Sequence, residues 1–256
     1  MSRPSAADFN LFFRGGIFGD YDIFTAQTYA DFVWRNDIDL ARAITAHNGR
    51  TLTGALALGI RADRAWFGLI GVHPEYRRAG LGRRLLAEAL DAVRAAGVRR
   101  VELELSQRNR SALSMTRSFG FLEQGELLVW ARSARPRAHG ALPMHRLQER
   151  DVRAVAQMPS ACWQREPRSV ARAGSAALIE TTGAYAFIQL RGEFANVIDA
   201  GARDLESARA LVAELSARVP QDLTLNNEPA TSVLSTALRE HDWGIAERQY
   251  GMVLSA

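Results

Sequence analysis

Val72-His73-Pro74-Glu75-Tyr76-Arg77-Arg78-Ala79-Gly80-Leu81-Gly82 joins an apolar stretch to an amphipathic one. At the first turn of a helix the amide N–H groups lack internal partners and the macrodipole is positive, so a pyrophosphate placed there satisfies both. Gly80 and Gly82 would let phosphate oxygens reach bare backbone, while Arg77, Arg78, Arg83 and Arg84 add a positive field. The pair is not the dinucleotide fingerprint G-x-G-x-x-G, because Leu85 holds the third position, and no Walker A sequence occurs. A second group lies downstream. Val101, Leu103 and Leu105 alternate with Glu102 and Glu104, so a strand here puts both carboxylates on one face, where one could take a proton directly or through a water. Taken singly, Glu104 reads equally as a solvated strand residue and Asn109 as a helix cap. The loop reads otherwise, since no packing need brings two glycines, an arginine and a Gly-bearing apolar strand together.

Composition narrows the chemistry. All 32 basic residues are arginine, which excludes a lysine Schiff base, a pyridoxal phosphate anchor and a P-loop lysine. The single cysteine, Cys162, excludes an intramolecular disulfide, an all-cysteine zinc site and an iron–sulfur cluster; no metal site is expected. Beside Trp163 it reads as a packed side chain rather than a nucleophile. The longest apolar run, Ala65 to Val72, is far below the roughly 20 residues that span a bilayer, and the N-terminus shows no signal-peptide pattern. A cytoplasmic protein without a membrane partner is expected. Residues 1–140 hold 20 Arg against 14 acidic residues and residues 141–256 hold 12 against 14, which favours the first part for an anionic ligand. The arginine clusters lack interleaved aromatics, so nucleic acid is not the expected partner.

These groups need a scaffold. The polar stretch Ser133 to Gly140 reads as a linker, giving domains 1–132 and 141–256. In the first, periodicity predicts a short strand at 10–14 and a helix from Thr25 to Arg35. Strands follow at about 40–46 and 51–60 around an Asn48-Gly49 turn. Trp66 to Val72 is apolar on both faces, as a central strand would be, and its glycines suggest a bulge or close ligand approach. Leu81, Leu85, Leu86, Ala89, Leu90 and Val93 predict a helix ended by Gly97. A strand at 101–105, a short helix capped by Asn109 and a strand pair around Phe121 and Leu127 to Trp130 complete a mixed α/β sheet. The second part replays this order more weakly: a strand at 142–147, a helix at 149–158, strands at about 185–190 and 195–200, a helix at 204–219, a strand at 223–225, a helix at 230–240 and a strand at 249–254. That parallel suggests an internal duplication. The helix at Asp204 has no G-x-G before it, and Asp204 and Glu206 occupy its anion-attracting end.

The first domain resembles the GNAT N-acetyltransferase superfamily. Motif A of that family, V-x-P-x-x-[QR]-x-x-G-x-[GA], falls on Val72, Pro74, Arg77, Gly80 and Gly82; a second motif falls on Leu103-Glu104-Leu105, Asn109, Ala112 and Gly120-Phe121. The resemblance covers residues 8–132, with 141–256 similar to a degenerate second copy. It implies tandem domains of the GNAT fold and acetyl-CoA as acyl donor. The pyrophosphate would lie on Arg77, Arg78, Ala79, Gly80, Leu81, Gly82 and Arg83, the pantetheine along Ile70, Gly71 and Val72 with Asn109 near its arm. By similarity to ribosomal-protein alanine acetyltransferases, Glu104 is the expected base. The family's acid, a tyrosine seven residues after the asparagine, is replaced by Thr116; a Thr hydroxyl is a poor proton donor, so the leaving thiolate would be protonated by water or by a phenol elsewhere, such as Tyr21 or Tyr76, and Thr116 reads equally as a helix hydroxyl bonded back to its own chain. The implied reaction is direct transfer to a primary amine, of a small molecule or a protein N-terminus, by a monomer or homodimer. The alternatives are a non-catalytic acyl-CoA-binding module and a transferase for longer acyl chains.

Overall fold

The computed structural model describes residues 3–16, 19–134, 142–156 and 161–255. The chain divides into two units, Met1–Gln124 with Gly251–Ala256, and Gly125–Tyr250. The division falls before the polar stretch, whose residues 135–140 lie outside the described residues.

In the first unit, the segment expected as a strand at 10–14 belongs instead to helix α1 (Ala6–Phe13). Local hydrogen bonding explains the difference. Ser5 and Asp8 form a capping box in which each side chain accepts from the other's backbone N–H, at 2.7 and 3.3 Å, and Phe9 and Phe12 point inward at helical spacing. Helix α2 (Ala26–Arg35) starts where expected, capped by Thr25, and its buried Tyr29 donates to the Pro4 carbonyl at 2.9 Å. Strands β1 (Ile44–Asn48) and β2 (Thr51–Arg61) enclose a two-residue turn, Gly49-Arg50 rather than Asn48-Gly49, with Gly49 at φ +59°. Then follow β3 (Arg64–Val72), α3 (Leu81–Ala95), β4 (Arg100–Ser106) and α4 (Arg110–Ser118). The strands run in the order β1-β2-β3-β4, antiparallel except for the parallel pair β3–β4. Helices α1 and α3 cover opposite faces. Adjacent residues of β3 show this, Gly71 lying against Phe12 of α1 and Val72 against Gly82 of α3.

The strand pair expected around Phe121 and Trp130 is one strand, β5 (Leu122–Arg132), most of which belongs to the second unit. There the chain continues through β6 (His145–Arg146), α5 (Glu149–Val155), α6 (Pro167–Ala171), β7 (Ser175–Thr181), β8 (Ala184–Arg191) and β9 (Phe194–Ala202). It ends with α7 (Leu205–Arg218), β10 (Asp222–Pro229), α8 (Val233–Arg239) and β11 (Gly244–Ser255). Strand β6 is shorter than the predicted 142–147, while β7 and α6 were not anticipated. Met158, placed at the end of the α5 helix by its periodicity, lies outside the described residues. The order within this unit is β5-β10-β9-β8-β7-β6. One face carries α7 and α8, whose Leu211, Leu215 and Leu234 share a buried cluster with Trp130, Leu223 and Leu225; the other buries Val152, Val170, Phe187 and Ile198. Both units therefore repeat one sequence of elements: two helices, a three-stranded meander, a helix, a parallel strand and a helix. No helix among the described residues is long and apolar enough to cross a membrane.

Candidate active site

Strand β3 carries a bulge. Ala57 pairs with Leu69 and Leu58 with Phe67, which leaves Gly68 as the extra residue. Its parallel ladder with β4 consists of Arg64↔Arg100, Ala65↔Val101 and Trp66↔Glu102, although β3 runs on to Val72 and β4 to Ser106. From Phe67 to Val72 the edge of β3 toward β4 thus has no ladder, and an extended polar ligand could hydrogen-bond there. Of the two readings the sequence offered for the strand's glycines, the bulge is met at Gly68. A Cβ at Gly68 would lie 2.3 Å from the Trp66 ring, and one at Gly71 would lie 2.6 Å from Cβ of Phe12. Aromatic side chains of the protein fill those spaces. What Ile70, Gly71 and Val72 offer a ligand is their peptide edge.

Past Pro74 the backbone turns through the left-handed region twice, at Arg78 (φ +62°) and Gly80 (φ +78°), before α3 begins. No side chain caps α3, as none caps the shorter α5 and α6, whereas α1, α2, α4, α7 and α8 are capped by their own Ser, Thr, Asn or Asp. Its first amides therefore face outward beside the exposed Arg78, Ala79 and Gly80. At Gly82 a Cβ would make only ordinary contacts, 3.5 Å from Met115 and 3.8 Å from Val72. The arginines divide in role. Arg77, expected on the phosphate, gives its guanidinium to backbone carbonyls of Phe12 (2.9 Å), Arg14 (2.6 Å) and Val72 (3.2 Å), and so ties the end of α1 to the loop. Its Nε and Nη2 are thus engaged in shaping the loop. Arg83 donates to Ser118 at 2.7 Å and lies over the Phe119 ring, joining α3 to α4.

On β4, Glu104 is half-buried and accepts from the indole N–H of Trp66 at 2.8 Å. Burial pushes its carboxyl up to about 7; the Trp66 bond opposes that rise and the Glu102 charge adds to it. A carboxyl in that range exchanges protons near neutral pH. Thr116, at the family's acid position, is 3% exposed and its hydroxyl donates back to the carbonyls of Ala112 (3.0 Å) and Leu113 (3.1 Å), as the back-bonded reading has it. Its one proton is already engaged within the helix. Asn109 caps α4, its carboxamide oxygen accepting from Ala112 N–H at 3.1 Å, which leaves the amide nitrogen to meet a ligand. Tyr76 accepts from Asn48 at 3.1 Å and stacks edge-on with His73, whereas Tyr21 is 82% exposed.

The second unit repeats the diverging strands but fills the gap. Parallel pairing of β9 with β10 spans Phe194–Val197 against Asp222–Leu225 and then stops. Beyond it sits Arg165, 5% exposed, which donates to the carbonyls of Ala200 on β9 (2.5 Å) and Asn227 on β10 (3.3 Å). The same guanidinium pairs with Asp199 (2.9 Å) and Glu228 (2.5 Å), and Tyr185 donates to the other oxygen of Asp199. At the start of α7, Asp204 accepts from Ser207 N–H at 2.8 Å and occupies the end where an anion would sit. Sequence reasoning missed both Trp66 and Arg165. Only Trp66 left a signal, a large ring two residues before a strand glycine; nothing in Trp163-Gln164-Arg165 foretold a clamp.

Residues 14–121 match the model of the acetyltransferase (GNAT) family. Over 76 residues, 30% of this chain, the sequence is 34% identical to the ribosomal protein bS18 alanine N-acetyltransferase of Escherichia coli (strain K12). The chain spans about half the length of that curated relative, 51%. Among solved structures, a Pyrococcus horikoshii protein covers 100% of this chain and 88% of its own at TM-score 0.71 and 14% identity. A GCN5-related N-acetyltransferase from Sphaerobacter thermophilus covers 98% and 94% at TM-score 0.65 and 14% identity. At these identities the two structures share the fold of the chain.

Proposed function

We propose that this chain, whose residues 14–121 match the model of the GNAT acetyltransferase family, transfers acetyl from acetyl-CoA to a primary amine and binds the donor on its first unit alone. The observation that carries the reading is a conjunction within one unit: an uncapped α3, an unladdered β3 edge leading to it, and a carboxyl near 7 on the adjoining strand. The pyrophosphate would rest on the amides at Gly80 to Arg83 and in the field of Arg78, with the pantetheine along Ile70 to Val72 and the amide of Asn109. A β3 N–H would polarise the thioester carbonyl. Glu104 takes one proton from the ammonium, the neutral nitrogen attacks the carbonyl carbon, the C–S bond breaks, and the nitrogen of the new amide gives its second proton to water. With Thr116 committed to its helix, water protonates the departing thiolate, a tolerable leaving group because a thiol has a pKa of about 8.5.

The strength of the base also bears on the acceptor. An α-ammonium has a pKa of about 7.7–8.0 and a lysine about 10.4, so a carboxylate near 7 removes the first proton far more readily. We therefore assign an α-amine, as at a protein N-terminus, in keeping with the activity named for the Escherichia coli relative. Release of CoA thiol should be followed across alanine-starting peptides, free amino acids, amino sugars, polyamines and lysine peptides. The α-amines should turn over and lysine peptides should lag by at least about tenfold. Equal rates on lysine would remove the α-amine assignment. Silence with every amine and acyl-CoA would favour a non-catalytic CoA-binding module, the reading to which the committed Thr116 hydroxyl points.

A further inference from the structure

We infer that Trp66 is the positioning residue for the Glu104 carboxylate and that the bulge glycine Gly68 is the notch that lets it act. The inference rests on the reading of Glu104 as base. A carboxylate at the end of a Glu side chain rotates freely about its last bond unless something holds it. Here Oε2 accepts the Trp66 indole N–H at 2.8 Å, which leaves Oε1 as the oxygen to receive a proton. The ring itself is locked: Trp66 is 1% exposed, packs against Phe32 of α2 with centroids 5.8 Å apart, and lies so close over Gly68 that any Cβ there would collide with it at 2.3 Å.

A buried indole needs an acceptor for its N–H, and a backbone carbonyl would serve packing equally well. Spending that donor on a titratable group stabilises the ionised carboxylate against its own burial. The other charge acting on Glu104 among the described residues is Glu102, on the same face of β4, itself held by Arg64 of β3 (3.5 Å) and Arg100 (2.6 Å).

Trp66→Phe keeps a ring in place and removes only the N–H. Losing a donor that favours the ionised form should move the acidic limb of the kcat/KM profile upward by about one pH unit. Turnover at neutral pH should fall several-fold and recover at higher pH, with KM for acetyl-CoA unchanged. An unshifted limb in a folded Phe variant would overturn the inference. A measurement on the unmutated chain guards against a variant that fails to fold: the indole N–H resonance of Trp66 should titrate near pH 7 and stop doing so in Glu104→Gln. A resonance flat across that range would also overturn it. The two readings fail separately. Wild-type turnover in Glu104→Gln removes the base itself, whereas lost turnover there with an unshifted Phe profile removes only the role of Trp66.

Discussion

Glu104→Gln should lower turnover by roughly 10²–10⁴, the usual share of general acid–base catalysis, while acetyl-CoA affinity stays within about twofold. The substitution is close to isosteric, and the amide oxygen can still accept the Trp66 N–H, so the ring and strand should hold. Burial disfavours the charged form at this position, and a neutral amide therefore brings no new desolvation cost. In the wild type the base must be ionised to accept a proton. With the carboxyl at about 7, kcat/KM should rise about tenfold between pH 6 and pH 8 from this group, and in the Gln variant only the rise set by the acceptor's own ammonium, pKa about 7.7–8.0, should remain. Steady-state kinetics beside a binding titration checks both halves. Full turnover in the variant would take Glu104 out of the mechanism.

Gly82→Asp should reduce acetyl-CoA affinity by at least about a hundredfold without harming the fold. The site tolerates a Cβ, whose nearest neighbours would stand at 3.5 and 3.8 Å. A carboxylate in the first turn of a helix favours the macrodipole, and aspartate is a better helix former than glycine, so the ligand-free protein should melt no lower. Bound phosphate meets the opposite effect. Two unit charges about 4 Å apart at an effective dielectric near 20 repel by about 4 kcal/mol, equivalent to roughly three powers of ten in affinity. Circular dichroism with a binding titration separates the outcomes, and undiminished affinity would mean that the phosphates lie elsewhere.

How far these features could be read beforehand depended on how local their causes are. The loop was legible because left-handed backbone and close approach to amides restrict residue types, and Gly80 at φ +78° meets that restriction. The alternation of β4 placed Glu104 and Glu102 correctly, since strand facing needs only a period of two. Helix α1 was misread as a strand because its aromatic run masked the Ser5–Asp8 capping box. Gly68 and Gly71 could not reveal from sequence which atoms fill their missing side chains; Phe12 lies nearly sixty residues away from Gly71. Arg165 was beyond sequence reading for the same reason. Its partners on Asp199, Ala200, Asn227 and Glu228 lie 34 to 63 residues away, and only folding collects them around one guanidinium.

That clamp leads to the central claim, that one unit holds the acyl donor and the other has closed the equivalent gap. Arg165 bridges β9 and β10 where the first unit leaves β3 and β4 apart, and Asp204 fills the helix end that α3 leaves open. Calorimetric titration of the intact chain with acetyl-CoA tests this most directly. The account predicts a single site per chain, weakened at least about a hundredfold by Gly82→Asp; two equivalent sites, or a full-strength site surviving that substitution, would contradict it.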